Sequence, residues 1–407
     1  MTRRRCEAGA LELGAGLEVL VSASLATLQG DDLLDVIVDS RSGSFELPAW
    51  ARRAGHDVVD ERREGSAFVI TLRSQPRIPL DAGPSATLDR GMFSTAELRA
   101  LAGPVPAEAD RAAGLVPLGA GREPTAAAYD WALSSRDRMW TDKLAGLADR
   151  AARAQWDATR DIPWEAALGL KPDVERGVSQ VMTYIAQNEY AAYYVPARYL
   201  AQVNPEYVEV MMWLASHVHD EARHVEVFTK RALAGGQRSF ALAATELSLQ
   251  TLLDERDFSA AALLLNVLGE GTFLDLLSFV ARHAPDAATA TAARLAHQDE
   301  RRHVQFGIAH VRHRLAHDPD ERGRLVAAVE ERAAKLVSLD GLSPVVGESL
   351  VLMSARSAQP ADIGEAGRAV RDLLGRMNRN RVRRLRAAGF DLATAQELSE
   401  LHTPNLM

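Results

Sequence analysis

The sequence predicts an α+β multidomain chain: a small N-terminal two-layer α/β domain of order β-α-β-α-β-β, then an all-α four-helix bundle with extra helices. Three observations carry this. Residues 10–74 alternate short β-branched runs with stretches of helical apolar spacing. Residues 75–125 shift to Pro, Gly and Ala, the punctuation of a linker. Residues 126–407 hold long helical patterns in which Asp220-Glu221-Ala222-Arg223-His224 returns 79 positions later as Asp299-Glu300-Arg301-Arg302-His303. The expected domains are therefore 1–74, 75–125 and 126–407.

A chain of 407 residues is long enough for two domains and a large core. Its net charge of −8 gives no overall electrostatic footprint for nucleic acid. Cys6 is the single cysteine, which excludes an internal disulfide framework, a rubredoxin-type centre and an iron–sulfur cluster held by this chain alone. The basic start is interrupted by Glu7, Glu12 and Glu18 before an apolar region forms, so a signal peptide is not expected. No run is expected to approach the roughly 18 apolar residues of a membrane span, and the expected location is the cytoplasm.

Strands are predicted over 33–39, 56–60 and 66–73, and helices over 17–28 and 45–54, with Gly55 as a helix stop. Through Asp39 and the stretch from Phe45 to Val59 this region resembles sulfur-carrier proteins of the TusA type. That family carries sulfur on a cysteine in a Cys-Pro motif opening the first helix. Here the corresponding stretch, Gly16-Leu-Glu-Val-Leu-Val-Ser22, has no thiol. The resemblance therefore implies a docking or scaffold module that has lost the carrier chemistry.

Within the linker a short capped helix is predicted over 94–101. A helix over 126–147 with Trp131 and Trp140 on its apolar side follows, then an aromatic segment with Trp156 and Trp164, read as a packing clasp. Four long helices come next. The first starts near Pro172 and meets Pro196, which removes one intrahelical bond. The second is opened by Asn204-Pro205 and ended by Gly235-Gly236. In the third, Gly269 and Gly271 flank Glu270, a costly choice in mid-helix that signals room for a ligand or a local π-bulge. The fourth is opened by Pro285-Asp286 and runs to about His317. The Arg-rich stretch 376–386 is assigned to a final helix, as a solvated face or a contact for an acidic partner, with an anionic carrier or phosphate as the alternative.

The repeated pentads carry the chemistry. A carboxylate and an imidazole three residues apart stand roughly 60° apart on one helix face, one turn along, where they can grip one ion together. Two such helices supply two carboxylates and two imidazoles, and a dinuclear iron or manganese site in a bundle then needs one further Glu from each of two other helices. Glu189 and Glu270 are lone carboxylates in apolar helical surroundings, 32 residues before Glu221 and 30 before Glu300. An unpaired buried Glu is costly, so this symmetric placement argues for ligands. A zincin is excluded because Asp220 and Asp299 stand where that motif needs His, and zinc prefers fewer carboxylates. Four carboxylates and two imidazoles suit iron or manganese.

This order and spacing, with the Asp-Glu-x-Arg-His form in both copies, resemble the ferritin-like di-iron carboxylate superfamily over about residues 150–320. The likeness implies that Glu189, Glu221 and His224 hold one metal and Glu270, Glu300 and His303 the other, with some carboxylates bridging. It implies that Asp220 and Asp299 each accept the free N–H of the His on the opposite helix. The cofactors it implies are two iron ions, with manganese–iron open, and O2 as co-substrate. Phe228 stands where related ribonucleotide reductase subunits place a radical tyrosine, although Tyr190, Tyr193 and Tyr194 lie close in sequence to Glu189. Leu274 stands where related hydroxylases place a threonine. Phe228, Leu274 and Phe306 are read as an apolar pocket wall or as core. His217 and His310 share the ligand face and are read as supporting residues.

The expected function is a non-haem di-iron oxidoreductase that activates O2 to oxygenate or oxidise a small organic substrate. A rubrerythrin-like peroxidase and a metal-stabilised scaffold docking a sulfur-transfer partner are the alternatives. The partners this reading admits are a small-molecule substrate, an external electron donor, a protein at the N-terminal domain and a second copy of the chain in a homodimer. Nucleic acid and membrane are not among them.

Overall fold

The computed structural model describes residues 2–29, 31–74, 94–101, 103–111, 114–118, 129–140, 142–337 and 343–402. Residues 75–93 and 119–125 of the expected linker lie outside these. The described residues form two compact units, one up to Ser74 and one from Ser94 onward.

The first unit has the order β1 (Arg3–Gly9), α1 (Leu17–Leu25), β2 (Leu33–Val38), α2 (Arg41–Arg53), β3 (Asp57–Glu64) and β4 (Ala67–Arg73). The sheet order is β1-β2-β4-β3, with β1 parallel to β2 and the other pairs antiparallel. Period-2 alternation sets its two faces. Leu34, Val36, Ile70 and Leu72 pack under Leu17, Val21 and Leu25 of α1 and Leu47 and Ala51 of α2. Asp35 is also buried, where Thr71 Oγ1 (2.6 Å) and Arg62 (3.0 Å) donate to it. Cys6 is buried in β1, 3.5 Å from Ser24 Oγ.

The second unit is helical. It opens with α3 (Thr95–Leu101), where the Ser94 hydroxyl and the Glu97 carboxylate cap each other's backbone N–H. The helix expected over 126–147 does not form over its described part before α4 (Leu144–Arg153). Instead Leu133 N–H donates to Gln202 O (2.9 Å), Leu133 O accepts from Asn204 N–H (2.9 Å), and Ser135 bridges Glu108. Pairing with distant backbone satisfies the groups a helix would have used.

The bundle proper is α5 (Pro172–Leu200), α6 (Val208–Ala234), α9 (Glu270–His283) and α10 (Ala287–His317), with α7 (Ala243–Asp254) and α8 (Phe258–Ala262) between α6 and α9. Pro172 sits in the first turn of α5 and Pro196 inside it. α6 begins three residues later than Pro205, because Asn204 spends its side chain on Asp110 O and Ser134 Oγ and turns the chain through Tyr207. A π-helical turn, Leu263–Gly269, joins α8 to α9 directly before Glu270. The run Phe258–His283 does have the length and hydropathy of a membrane span, correcting the expectation above, but 89% of its most apolar window is buried within the protein.

Two devices fix the register of these helices. Fully buried Arg231 of α6 donates to Glu175 of α5 (2.7 and 3.0 Å) and to Asp286 (2.9 Å), the N-cap of α10. At Gly307 a Cβ would fall 2.5 Å from Asn266 Cβ, so only glycine lets α10 lie this close to the π-turn.

α11 (Glu321–Lys335), α12 (Pro344–Ala355), α13 (Pro360–Ala387) and α14 (Leu392–His402) pack around the bundle. The Arg-rich stretch lies in α13, which α14 follows. Arg379, Arg383 and Arg386 face solvent, but Arg381 is buried against Ser399 and Arg384 pairs with Asp275 of α9 (3.4 Å), so this face is only partly solvated. The room left by Gly271 is taken by Arg384, whose Nε would lie 2.6 Å from a Cβ there.

Candidate metal centre

The π-turn inserts one residue into the third bundle helix and so turns Glu270 toward the bundle axis. Asn266, one turn earlier, donates to Glu270 Oε2 (2.7 Å). Glu189 comes from the middle of α5, and the two pentads face each other from α6 and α10. All six residues singled out as ligands are buried and converge on one place.

Glu221 and Glu300 lie between the two imidazoles. Glu221 puts Oε2 3.2 Å from His224 Nδ1 and Oε1 2.9 Å from His303 Nδ1. Glu300 puts Oε1 3.6 Å from His224 Nδ1 and Oε2 3.4 Å from His303 Nδ1. Each carboxylate thus offers one oxygen to each side. Two groups of ligand atoms result, every atom within 4.8 Å of the others in its group: Glu189, Glu221, His224 and Glu300, and His217, Glu221, Glu270 and His303. Either group could hold a metal ion, with Glu221 common to both.

His217 is the residue whose place in this arrangement sequence reasoning missed. Its Nε2 lies 3.0 Å from Glu270 Oε1 and 3.4 Å from Glu221 Oε1, and its ring stacks on His303 at 3.8 Å. The signal was its position one turn before Glu221, a spacing that buried core histidines share. His310 instead accepts from Trp140 N–H and meets Ser259 Oγ (3.0 Å), away from the ligand atoms.

Behind the imidazoles the two aspartates are crossed. Asp299 lies 3.2 Å from His224 Nε2, and Asp220 lies 3.4 Å from His303 Nε2. An Nε2–H donated to these carboxylates leaves Nδ1 unprotonated toward the cluster and fixes the ring planes. Arg223 donates to Asp220 (2.6 Å) and Asp299 (2.8 Å), and Arg302 bonds to both as well. Trp156 is more than a packing clasp: its Nε1–H donates to Asp299 (2.8 Å), and the Arg223 guanidinium lies over its ring. Gln155 donates to Asp220 (3.1 Å).

The electrostatics explain why this cluster is costly without cations. Burial, then the Glu221 charge, pushes Glu189 well above the usual carboxylate range. Burial, then Glu221 and Glu270, does the same to Glu300. Burial also opposes ionisation of Glu221, but His224, His217 and His303 around it outweigh that and hold it well below the range. Burial disfavours the charged form of His217, yet Glu270 and Glu221 raise it to about 9. Glu189 Oε1, both Glu300 oxygens and His303 Nδ1 have no hydrogen-bond partner. Asp220 and Asp299 are matched in charge by Arg223 and Arg302, whereas among the described residues the four glutamates face, as charge partners, only the imidazoles of His217, His224 and His303. Two divalent cations would neutralise them and take up the orphaned atoms.

A narrow cavity flanks the His217–Asn266 side, walled by Val195, Leu214, Phe258, Leu265 and Phe306. Phe306 is therefore pocket wall. Phe228 is core beside His224, and Leu274 does not line the cavity. Tyr190 and Tyr194 are exposed, and Tyr193 packs against Tyr194.

No protein-family model and no curated protein matches the chain. Among solved structures the chain is similar to R2-like ligand-binding oxidases. One mutant, aerobically reconstituted with Mn/Fe, is 18% identical with a TM-score of 0.45, over 59% of this chain and 94% of that one. A second, reconstituted with Fe/Fe, is 18% identical with a TM-score of 0.44, over 60% and 93%. A third, anaerobically reconstituted with Mn/Fe, is 19% identical with a TM-score of 0.43, over 60% and 93%.

Proposed function

We propose that the helical unit is a dinuclear metal oxidoreductase that uses two iron ions, or one manganese and one iron, with O2 to oxidise a small organic substrate. The observation that carries it is the convergence of Glu189, Glu221, Glu270 and Glu300 with His217, His224 and His303 on one buried point, with Glu189 Oε1 and both Glu300 oxygens unpartnered. Carboxylate and imidazole donors without thiolate suit these ions. When bound, such ions would supply the redox couple for reaction with O2.

The chain's own residues do the rest. Glu189, Glu221, His224 and Glu300 would hold one ion, and His217, Glu221, Glu270 and His303 the other. Asp299 and Asp220 keep His224 and His303 in the Nε2–H tautomer, and Arg223 and Arg302 donate to both aspartates from behind. Phe258, Leu214 and Phe306 keep water from the His217 face, and the apolar wall there favours a substrate that presents a hydrocarbon portion.

The test is anaerobic reconstitution with Fe(II), followed by O2. A fast change in visible absorption, with O2 consumed in proportion to iron, supports the proposal. Reaction with H2O2 alone would mean a peroxidase, and metal that only raises the melting temperature would mean a scaffold.

For the first unit we propose a docking role. Its β-α-β-α-β-β order and its lack of a thiol at the start of α1 support a module that kept the fold and lost the carrier chemistry. Loss of partner capture on deleting residues 1–74, with O2 consumption intact, is the expected outcome.

A further inference from the structure

We propose that the cleft between α4 and α10 lined by Arg150, Arg153, Arg301 and Arg302 is the docking face for an acidic electron-transfer protein. This rests on the dimetal reading above and names the donor's place on it.

The cleft is basic in a chain whose net charge is −8. Arg150 and Arg153 of α4 and Arg301 of α10 are exposed, and among the described residues none has an ion-pair partner. Gln298 and Gln305 extend the same face of α10, so the stripe runs about 10 Å along that helix. That length is wider than a small anion and suits the acidic face of a protein.

Its floor gives the cleft a purpose. Arg302, 11% exposed at the side chain, donates to Asp220 (2.9 Å), and Asp220 lies 3.4 Å from His303 Nε2. Two polar contacts therefore join the cleft floor to a candidate ligand, and the same guanidinium bonds Asp299 behind His224. A molecule in the cleft cannot touch the metal positions, because the aspartates and the imidazole rings stand between. Electrons can cross that distance where substrate atoms cannot. With one cysteine the chain cannot by itself hold a cysteine-ligated iron–sulfur cluster, and a separate protein carrying such a centre is the donor class that the basic cleft fits. Two one-electron donations convert two ferric ions to two ferrous ions and leave two oxidised donors.

The experiment uses the full chain loaded with iron and oxidised, reduced either by a plant-type ferredoxin of acidic surface, by flavodoxin hydroquinone, or by methyl viologen radical as a small reductant. The triple variant Arg150→Glu/Arg153→Glu/Arg301→Glu should slow reduction by both proteins about 10-fold or more at low salt and leave the viologen rate unchanged. The parent rate with the proteins should fall as ionic strength rises. Equal rates for parent and variant with ferredoxin and flavodoxin, a parent rate indifferent to salt, or an equal loss with viologen would overturn the proposal. Metal content separates the two levels. A chain that takes up no iron removes the dimetal reading and the docking face with it. An iron-loaded chain that viologen reduces, but whose protein-driven rate ignores charge reversal, removes the docking face alone.

Discussion

Replacing Glu300 by Leu should make the metal-free protein more stable and the metal-loaded protein less so. Glu300 is fully buried, and neither of its oxygens has a hydrogen-bond partner. Its nearest charged neighbours include Glu221, Glu270 and Glu189, which together with burial hold its pKa well above normal. A buried polar group left unsatisfied costs roughly 1–3 kcal/mol, and replacing buried ionisable groups by apolar ones of similar volume often gains about 1–4 kcal/mol. The metal-free variant should therefore gain about 1–3 kcal/mol. Metal acts the other way. At a thousandfold excess over Kd it would stabilise the parent by about 4 kcal/mol, and the variant lacks a carboxylate that offers one oxygen toward each imidazole. The order of stabilities should reverse between chelated and Mn(II)-loaded samples in urea denaturation, with Glu300→Gln keeping the shape as a control. A variant less stable than the parent under both conditions would refute the reasoning and make Glu300 a structural residue.

Metal binding should release protons. His217 and His224 are held protonated by Glu270, Glu221 and Asp299, and Glu189 and Glu300 are held neutral. Cation affinity should rise with pH as those protons leave on their own, the His217 proton near pH 9, and calorimetry in buffers of different ionisation enthalpy reads the number displaced. His310 sets a pH limit on the fold. Burial lowers it from 6.5 to about 3, so above pH 6.5 it is neutral folded or unfolded, and below that only the unfolded chain takes the proton. Stability should fall by about 2–3 kcal/mol between pH 7 and 4.5 through this group, and His310→Gln should remove that portion of the slope in urea titrations. Gly307→Ala should cost about 1–3 kcal/mol by overpacking against Asn266. It should also weaken metal binding, because Asn266 holds Glu270; unchanged stability and affinity would contradict this.

Much of the site was legible because helical geometry turns sequence offsets into faces. Two carboxylate–imidazole pairs three apart, and two lone glutamates in apolar surroundings, need no tertiary knowledge to be placed on inward faces. The π-turn was legible as well, since glycines either side of a buried Glu in mid-helix need a reason. Gly271 had a different one, however: it makes space for Arg384 from a helix more than a hundred residues away. His217 has the sequence setting of any core histidine, because only the arrival of Glu270 from α9 gives it a second carboxylate. Gln155 and Trp156 were out of reach for the same reason, since their bonds to Asp220 and Asp299 span 65 and 143 residues. The helix expected over 126–147 failed where local apolar spacing competed with backbone pairing to residues 202–204. Tertiary partners settled that contest, and no local pattern records them.

The most direct measurement is anomalous diffraction from crystals of the protein grown with Mn(II) or Fe(II). Two peaks per chain are expected about 3.5–4 Å apart, both flanked by Glu221 and Glu300, one beside His224 and the other between His217 and His303. Absence of any peak among these side chains, or metal found only at surface carboxylates, would contradict it.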